Sequence, residues 1–105
     1  MPRGNAPLGE IATNVVFEND KVKVWNLIVG PDEESDWHMH SRDYITIVLE
    51  GGGLTVEYDD GTSEVGQPLQ GSWKYHDSHM IHRVVNKTDK TYKNLLIELK
   101  GTNKS

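Results

Sequence analysis

The sequence predicts an all-β protein built from short antiparallel strands. Short stretches rich in β-branched and aromatic residues recur along the chain, and several of them alternate between apolar and polar positions. Glycines and Asp/Asn clusters separate these stretches, and no window keeps the period of an amphipathic helix. Many short strands with this spacing are typical of a β-sandwich or β-barrel.

The first half of the chain contains three predicted strands. "NVVF" comes first and is separated by the hairpin-like break "ENDK" from "VKVWNLIV", which is rich in β-branched residues. "YITIVLE" is apolar on both faces except at its ends, which suits a strand buried in a sandwich. Residues 1–14 mix Pro, Gly and polar side chains, so we predict an N-terminal arm or a loose first strand there.

The second half begins with a predicted hairpin, "LTVEYDDGTSEV". Leu54, Val56 and Tyr58 alternate with polar residues before Asp60-Gly61, a strong two-residue hairpin signal. The glycines of "EGGGL" just before it fit a turn between strands, and they lack the Lys-Ser/Thr tail of a phosphate loop.

Three further strands complete the set: "SWKYH", "MIHRVVN" and "YKNLLIEL". In the last of them Leu95, Ile97 and Leu99 share one face. We therefore predict one all-β domain, a sandwich or a barrel, over residues 15–100, followed by a flexible tail at 101–105.

Size and composition exclude several classes of protein. The 105 residues suffice for one domain, and a net charge of -5 without a run of Lys or Arg argues against a nucleic-acid surface. The longest apolar stretch, "ITIVL", is too short to cross a bilayer, and the N-terminus lacks the apolar region of a secretory signal. With no cysteine there is no disulfide framework. These features favour a cytoplasmic protein. The serines lack nucleophile-elbow context, which makes a serine hydrolase improbable.

All five histidines fall in two windows, "WHMHSRDYITIVLEGG" and "HDSHMIHRVVN". On a strand, His38 and His40 would project to the same side, with Met39 facing away. If the strand of His82 lies beside them, three imidazoles converge. Such a triad suits Fe2+, Zn2+, Mn2+, Ni2+, Co2+ or Cu2+ and discriminates weakly among them. We expect His76 and His79, in the loop before the strand of His82, to be surface residues or residues at the rim of the site.

This pattern resembles the cupin superfamily, whose first motif is G-x5-H-x-H-x3,4-E-x6-G. His38, Met39 and His40 supply the H-x-H and Gly51 the final glycine, whereas Tyr44 holds the Glu position and Asp32 that of the first glycine. In the second motif, G-x5-P-x-G-x2-H-x3-N, the matching residues are Gly71, His82 and Asn86, while Asp77 and His79 replace the proline and the second glycine.

The resemblance covers about residues 15–99 and implies a single-domain cupin with an RmlC-like jelly-roll barrel. "WHMHSRDYITIVLEGG" with "HRVVN" and the closing "IELK" also looks like the small cupins called β-alanine-degradation proteins. The family implies an ion held by His38, His40, His82 and the residue at the Glu position.

Tyr44, at that Glu position, has three alternative roles. It binds the ion as a phenolate, acts as a hydrogen-bond donor or general base, or fills the barrel throat as an aromatic side chain. Asp43 should point to the other face of the strand, toward Arg42 or solvent, and is a weaker candidate ligand.

Three classes of function remain open. The first is a metal-dependent enzyme acting on a small organic acid or related polar metabolite. It would be either a dioxygenase using Fe2+ or a lyase, isomerase or hydrolase in which Tyr44 or His76 moves a proton. The second is a non-catalytic module that binds a metal or ligand. The third is a dimer-forming cupin with a vestigial site.

We also expect a homodimer, because an open barrel edge can be covered by a neighbouring strand. Ile11, Val15 and Val16 of the N-terminal region are candidates for that exchange. The three tryptophans are expected to pack in the core or on a dimer face. Asn86 is expected to hold a turn or to support a ligand from behind.

Overall fold

The computed structural model describes residues 7–66, 69–77 and 80–102. Every predicted strand is present, and these residues contain no helix. The strands are, in chain order, β1 Asn14–Glu18, β2 Val22–Val29, β3 Tyr44–Glu50, β4 Thr55–Tyr58, β5 Ser63–Val65, β6 Trp73–His76, β7 His82–Val85 and β8 Tyr92–Leu99. No described helix has the length and apolar character that a membrane span requires.

The strands form two antiparallel sheets. The larger has the order β1-β2-β8-β3-β6 and the smaller the order β5-β4-β7. Strand β8 therefore lies between β2 and β3, although it is the last in sequence, and β5 and β6 are edge strands. This non-local pairing brings the chain's beginning, middle and end into one sheet.

The core lies between the two sheets. Trp25 and Leu27 from β2, Val48 from β3 and Leu96 from β8 are all buried on the inner face of the larger sheet. Val84 of the smaller sheet belongs to the same buried cluster. In each strand the buried positions alternate with more exposed ones, as the two-residue period of a strand requires.

Two predicted turns are confirmed. At Asp60-Gly61 the chain reverses between β4 and β5, and the Gly61 N–H donates to the Tyr58 carbonyl oxygen at 3.0 Å. Gly51 ends β3 with a φ of 70°. A Cβ atom there would lie 2.7 Å from the Thr91 carbonyl oxygen, so the position needs glycine for both backbone conformation and space.

The outer faces of the two sheets differ in chemistry. Leu95, Ile97 and Leu99 share one face, as predicted, but it is the outer face of the larger sheet, where they are only partly buried. Ile97 pairs there with Val24 on one side and Ile45 on the other. The smaller sheet instead carries polar residues outside, such as the Arg83–Glu57 ion pair, with nitrogen and oxygen 2.8 Å apart.

The described part of the predicted N-terminal arm packs against the domain. Ala12 is buried and Ile11 contacts the core cluster, while the Gly9 N–H donates to the Trp37 carbonyl oxygen at 2.8 Å. Strand β1 pairs with β2 of the same chain. Residues 1–6 of the arm and 103–105 of the tail lie outside the described residues, and the domain boundaries stay a prediction.

Candidate metal centre

The H-x-H pair lies just before β3, not within a strand as predicted. The pair lies in a short segment that bends at residues 41–42 before β3 begins. One pair of backbone hydrogen bonds joins this segment to β7: the His38 N–H donates to the His82 carbonyl at 2.9 Å, and the His82 N–H donates to that of His38 at 3.0 Å. The predicted alternation is nevertheless kept, because His38 and His40 are each 2% exposed and Met39 is 47% exposed.

This pairing brings three imidazoles together. One ring nitrogen from each of His38, His40 and His82 lies within 4.8 Å of the others, and all three residues are buried. Two nitrogens bound to one Zn2+ ion would be at most about 4.2 Å apart, since each Zn–N bond is about 2.0–2.1 Å. Small side-chain movements would therefore close the three nitrogens on one ion.

Backbone carbonyls fix the ring nitrogen that two of these histidines present. The His38 Nδ1 lies 2.8 Å from the Asp36 carbonyl oxygen, and the His82 Nδ1 lies 2.9 Å from that of Met80. A carbonyl only accepts hydrogen bonds, so each Nδ1 is the donor and each Nε2 carries the lone pair. Metal-binding histidines are commonly oriented in this way.

Burial keeps the imidazoles of His38 and His82 neutral. Loss of solvent, followed by the neighbouring His82, lowers the pKa of His38 to about 4. Burial also lowers the pKa of His82. At pH 7 both rings therefore carry a free lone pair, and protons compete little with a metal. Three imidazole ligands fit any of the predicted divalent ions without selecting one.

Tyr44 opens β3 beside this cluster and is 6% exposed. Its ring stacks on His40, with centroids 3.8 Å apart, and on His76, with centroids 4.4 Å apart. Burial raises the pKa of the Tyr44 phenol, so the side chain is neutral at pH 7. The stacking agrees with the aromatic packing role, and roles as ligand or base stay predictions.

His76 lies directly opposite Tyr44 in the β3–β6 register. Its Nε2 is 2.8 Å from the Thr46 hydroxyl oxygen. Burial, followed by the charge of Lys74, lowers the pKa of His76 to about 4. A neutral imidazole therefore stands next to the three-histidine cluster, and its predicted catalytic role stays a prediction. His79 lies outside the described residues.

A cavity of about 160 Å³ adjoins the cluster and extends between the sheets. Exposed residues of the edge strands β5 and β6, Glu64 and Lys74 among them, line its mouth. The histidines, Tyr44, Thr46 and Tyr58 form one end. The rest of the inner wall is mainly apolar and includes Leu27, Val48, Leu54, Val84 and Leu96.

Comparison with solved structures identifies this architecture. No family model matches the sequence, and no curated protein does either. The structure of a cupin domain from Bordetella pertussis Tohama I, however, is similar with a TM-score of 0.74 and 28% identity, over 89% of this chain and all of that one. The chain belongs to the cupin superfamily.

Two more distant structures share the fold. An RmlC-like cupin with a double-stranded β-helix from Methanocaldococcus jannaschii has a TM-score of 0.66 and 13% identity, over 94% of this chain and 92% of that one. The polyketide cyclase RemF from Streptomyces resistomycificus has a TM-score of 0.61 and 22% identity, over 77% of this chain and 56% of its own. The predicted jelly-roll fold of this cupin is thus confirmed.

Asn86, the last residue of the second cupin motif, holds a turn, which was one of its predicted roles. It is 0% exposed. Its Nδ2 donates to the Val29 carbonyl at 2.9 Å and to that of Lys90 at 2.7 Å, and its Oδ1 accepts from the Thr88 N–H at 2.9 Å. The asparagine therefore ties β2 to the turn between β7 and β8.

Asp43, the weaker candidate ligand, is not part of the histidine cluster. Its Oδ2 accepts a hydrogen bond from the Tyr75 hydroxyl at 2.7 Å. The tryptophans divide as core and surface residues: Trp25 and Trp37 are buried, whereas Trp73 is 69% exposed on β6.

Sequence reasoning missed several residues that line the cavity. Thr46 could have been found, because it follows Tyr44 at strand spacing and so shares its face. Tyr58 and Glu64 come from the smaller sheet, and Tyr58 donates to the Glu64 carboxylate at 2.5 Å. Asn94 of β8 faces inward beside Leu96. The sequence of β8 did not indicate that Asn94 faces inward, because the opposite face of the strand is the more apolar one.

Proposed function

We propose that this cupin binds one divalent transition-metal ion through His38, His40 and His82 and uses it in an enzymatic reaction on a small molecule in the adjoining cavity. The observation that carries the proposal is the meeting of three buried imidazoles, with their ring nitrogens within 4.8 Å, at one end of a cavity. Imidazole nitrogens are common ligands of divalent transition metals, so one ion can be shared by the three rings.

A bound ion would supply a Lewis acid that polarises a substrate oxygen. The protein supplies proton-transfer groups on the same wall. His76 is neutral at pH 7, lines the cavity and contacts the Thr46 hydroxyl. It is therefore able to accept a proton from a molecule held in the cavity, with Thr46 fixing its orientation. This supports a lyase or isomerase reaction.

Oxygen-dependent chemistry with Fe2+ is the second candidate. Within the described residues, the ligand cluster contains three histidines and no carboxylate, because Tyr44 holds the Glu position. Three-histidine iron sites of this kind occur in cupin dioxygenases, which this chain resembles in that respect. The similarity to a polyketide cyclase adds an analogy of fold alone, namely that such a barrel can hold an enzyme site.

Metal content tests the first step. The purified protein is stripped with chelator, loaded separately with each of the six ions, desalted and measured by elemental analysis. We expect about one ion per chain for at least one metal in the native protein and in Met39→Ala, which changes the exposed residue between the ligands. His82→Ala should retain none. A native protein that retains no ion, or a His82→Ala variant that retains it fully, contradicts the proposal.

Two substitutions then separate binding from chemistry. Tyr44→Phe should keep the ion and lower turnover if the phenol moves a proton, whereas loss of the ion would identify it as a ligand. His76→Gln should keep the ion and abolish proton transfer. Oxygen consumption by the Fe2+-loaded protein with a panel of small molecules distinguishes dioxygenation from proton transfer. Retained turnover in both variants would rule out the proton-transfer mechanism.

A further inference from the structure

A buried carboxylate lies beside the three histidines without belonging to their cluster. Glu98, near the end of β8, is 6% exposed and follows the inward-facing residues of that strand at two-residue spacing. We infer that Glu98 raises the affinity of the three-histidine site for a divalent ion, by supplying a negative charge that the imidazoles lack. This inference rests on the proposed function, since it concerns the same metal site.

The sheet register places Glu98 next to Tyr44. Glu98 lies directly opposite Tyr44 in the β3–β8 pair, and His76 lies directly opposite Tyr44 in the β3–β6 pair. Directly opposite residues of antiparallel strands have Cβ atoms about 4.5–5.5 Å apart. Tyr44 and Glu98 are buried and His76 lines the cavity, so all three face the interior. The phenol ring of Tyr44 therefore stands between His76 on one side and Glu98 on the other.

Ring stacking places His40 on the same side of Tyr44 as Glu98. The ring of His40 lies 3.8 Å from that of Tyr44 with an interplanar angle of 18°, and the ring of His76 lies 4.4 Å from it with an angle of 4°. Two rings stacked on one face of the phenol at these distances would overlap each other. His40 therefore occupies the face opposite His76, which is the face toward β8 and Glu98.

The contacts of Glu98 leave room for a further positive charge. The Trp25 Nε1 donates to Oε1 at 2.6 Å. The Arg42 Nη1 lies 3.8 Å from Oε2, which is too long for a hydrogen bond, and the Arg42 side chain is 25% exposed. Lys23, opposite Glu98 on β2, places its Nζ over the Trp25 ring, 4.8 Å from the centroid. Because a buried carboxylate is costly unless cations lie close to it, an ion at the histidines would stabilise Glu98.

The histidine cluster in turn lacks negative charge. Histidine binds metals as a neutral imidazole, and the group of described residues that could hold an ion contains three histidines without a carboxylate. A divalent ion bound there would keep its full charge in a buried site, where charges interact more strongly than in water. Carboxylates outside the ligand set commonly strengthen metal binding. Glu98 would thus stabilise the ion without coordinating it.

Competition for Zn2+ between the protein and a chelator that changes colour on binding measures this contribution. Glu98→Gln keeps the side-chain size and an oxygen acceptor for Trp25 but removes the charge. We expect it to bind Zn2+ about 10- to 100-fold more weakly than the native protein. Glu50→Gln removes the same charge from an exposed position at the far end of β3 and should bind as tightly as the native protein. Arg42→Gln removes a positive charge near the site and should bind about threefold more tightly.

The direction of the Arg42→Gln effect separates a charge effect from support of the fold. If Glu98 acted only by holding Arg42 and the bend at residues 41–42, both substitutions would weaken Zn2+ binding. Weaker binding by Arg42→Gln, or native affinity in Glu98→Gln, would overturn the inference. If Glu98→Gln does not fold, Arg42→Gln still decides, because it changes a partly exposed residue. A native protein that binds no ion contradicts the proposed function and this inference together, whereas equal affinity in the native protein and Glu98→Gln overturns the inference alone.

Discussion

Acidification should destabilise the metal-free protein well before general acid denaturation, because the buried His38 resists protonation. In the folded chain burial lowers its pKa from 6.5 to about 4. The unfolded chain takes up the proton near the ordinary value, so between these two pH values the unfolded state binds more protons. The free energy of unfolding must therefore fall as the pH falls through that window.

The size of the effect follows from the two pKa values. At pH 7 His38 is mostly neutral in both states, so its protonation contributes little to the folding equilibrium. At pH 5 the ring is protonated in most unfolded chains and still neutral in most folded ones. The difference lowers the free energy of unfolding by about 2 kcal/mol between pH 7 and pH 5. His82 and His76 change it in the same direction, because burial also lowers the pKa of each.

Urea unfolding followed by tryptophan fluorescence measures this dependence, with chelator present throughout. With a denaturant slope of about 1–3 kcal/mol/M, the His38 contribution alone should lower the urea midpoint by about 1 M between pH 7 and pH 5. His38→Gln serves as the control, since it removes the titrating ring and leaves the other histidines in place. Its midpoint should fall less than that of the native protein.

An equal pH dependence of stability in the native protein and in His38→Gln would refute the prediction. If native protein and His38→Gln lose the same free energy between pH 7 and pH 5, the folded His38 takes up its proton as easily as the unfolded one, and burial does not hold it neutral. A rise in stability toward pH 5 would refute the sign. Either result would also remove the argument that protons compete only weakly with a metal at neutral pH.

Three further measurements test the fold around the site. Gly51→Ala should lower the urea midpoint more than Gly61→Ala, since both positions have positive φ but only at Gly51 would a Cβ atom meet backbone, and equal losses would contradict this. Asn86→Ala should cost about 2–4 kcal/mol in urea unfolding because it breaks several buried hydrogen bonds at once, and a loss below about 1 kcal/mol would argue against the turn role. We also propose a homodimer through the outer face of the larger sheet. Light scattering should give the mass of a dimer for the native protein and for Glu57→Lys, which changes the smaller sheet, and the mass of a monomer for Ile97→Glu. A monomeric native protein would contradict the proposal.

Much of the fold could be predicted because strands carry local signals. β-Branched residues and alternation marked each strand, and Asp60-Gly61 marked the hairpin. The histidine cluster was foreseeable for a similar reason, since two residues at strand spacing share a face even in the short segment before β3. What local signals could not supply was the partner of that segment, which depends on long-range pairing between residues 38 and 82.

The inner and outer faces of β8 were not distinguishable from sequence. Alternation divides a strand into two faces, and the more apolar face is usually expected in the core. In β8 the more apolar face, with Leu95, Ile97 and Leu99, lies outside, while Tyr92 and Asn94 face inward. The rule fails here because the interior of this barrel contains a cavity as well as a packed core, and Tyr92 and Asn94 line that cavity.

The placement of polar residues inside and apolar residues outside on β8 affects both the cavity and the outer face of the larger sheet. Polar residues on the inner face of β8 reduce the apolar area that the domain buries within itself, and the apolar residues on its outer face lie in a row with Val24 and Ile45 of the neighbouring strands. The outer face of the smaller sheet carries the Arg83–Glu57 ion pair instead, so only the larger sheet has an apolar outer face. A second copy of the chain that covers the larger sheet would bury these outer apolar side chains, which the interior of the domain does not bury. On this view dimerisation stabilises the barrel that holds the histidines, and Ile97→Glu should lower the urea midpoint as well as the molecular mass in solution.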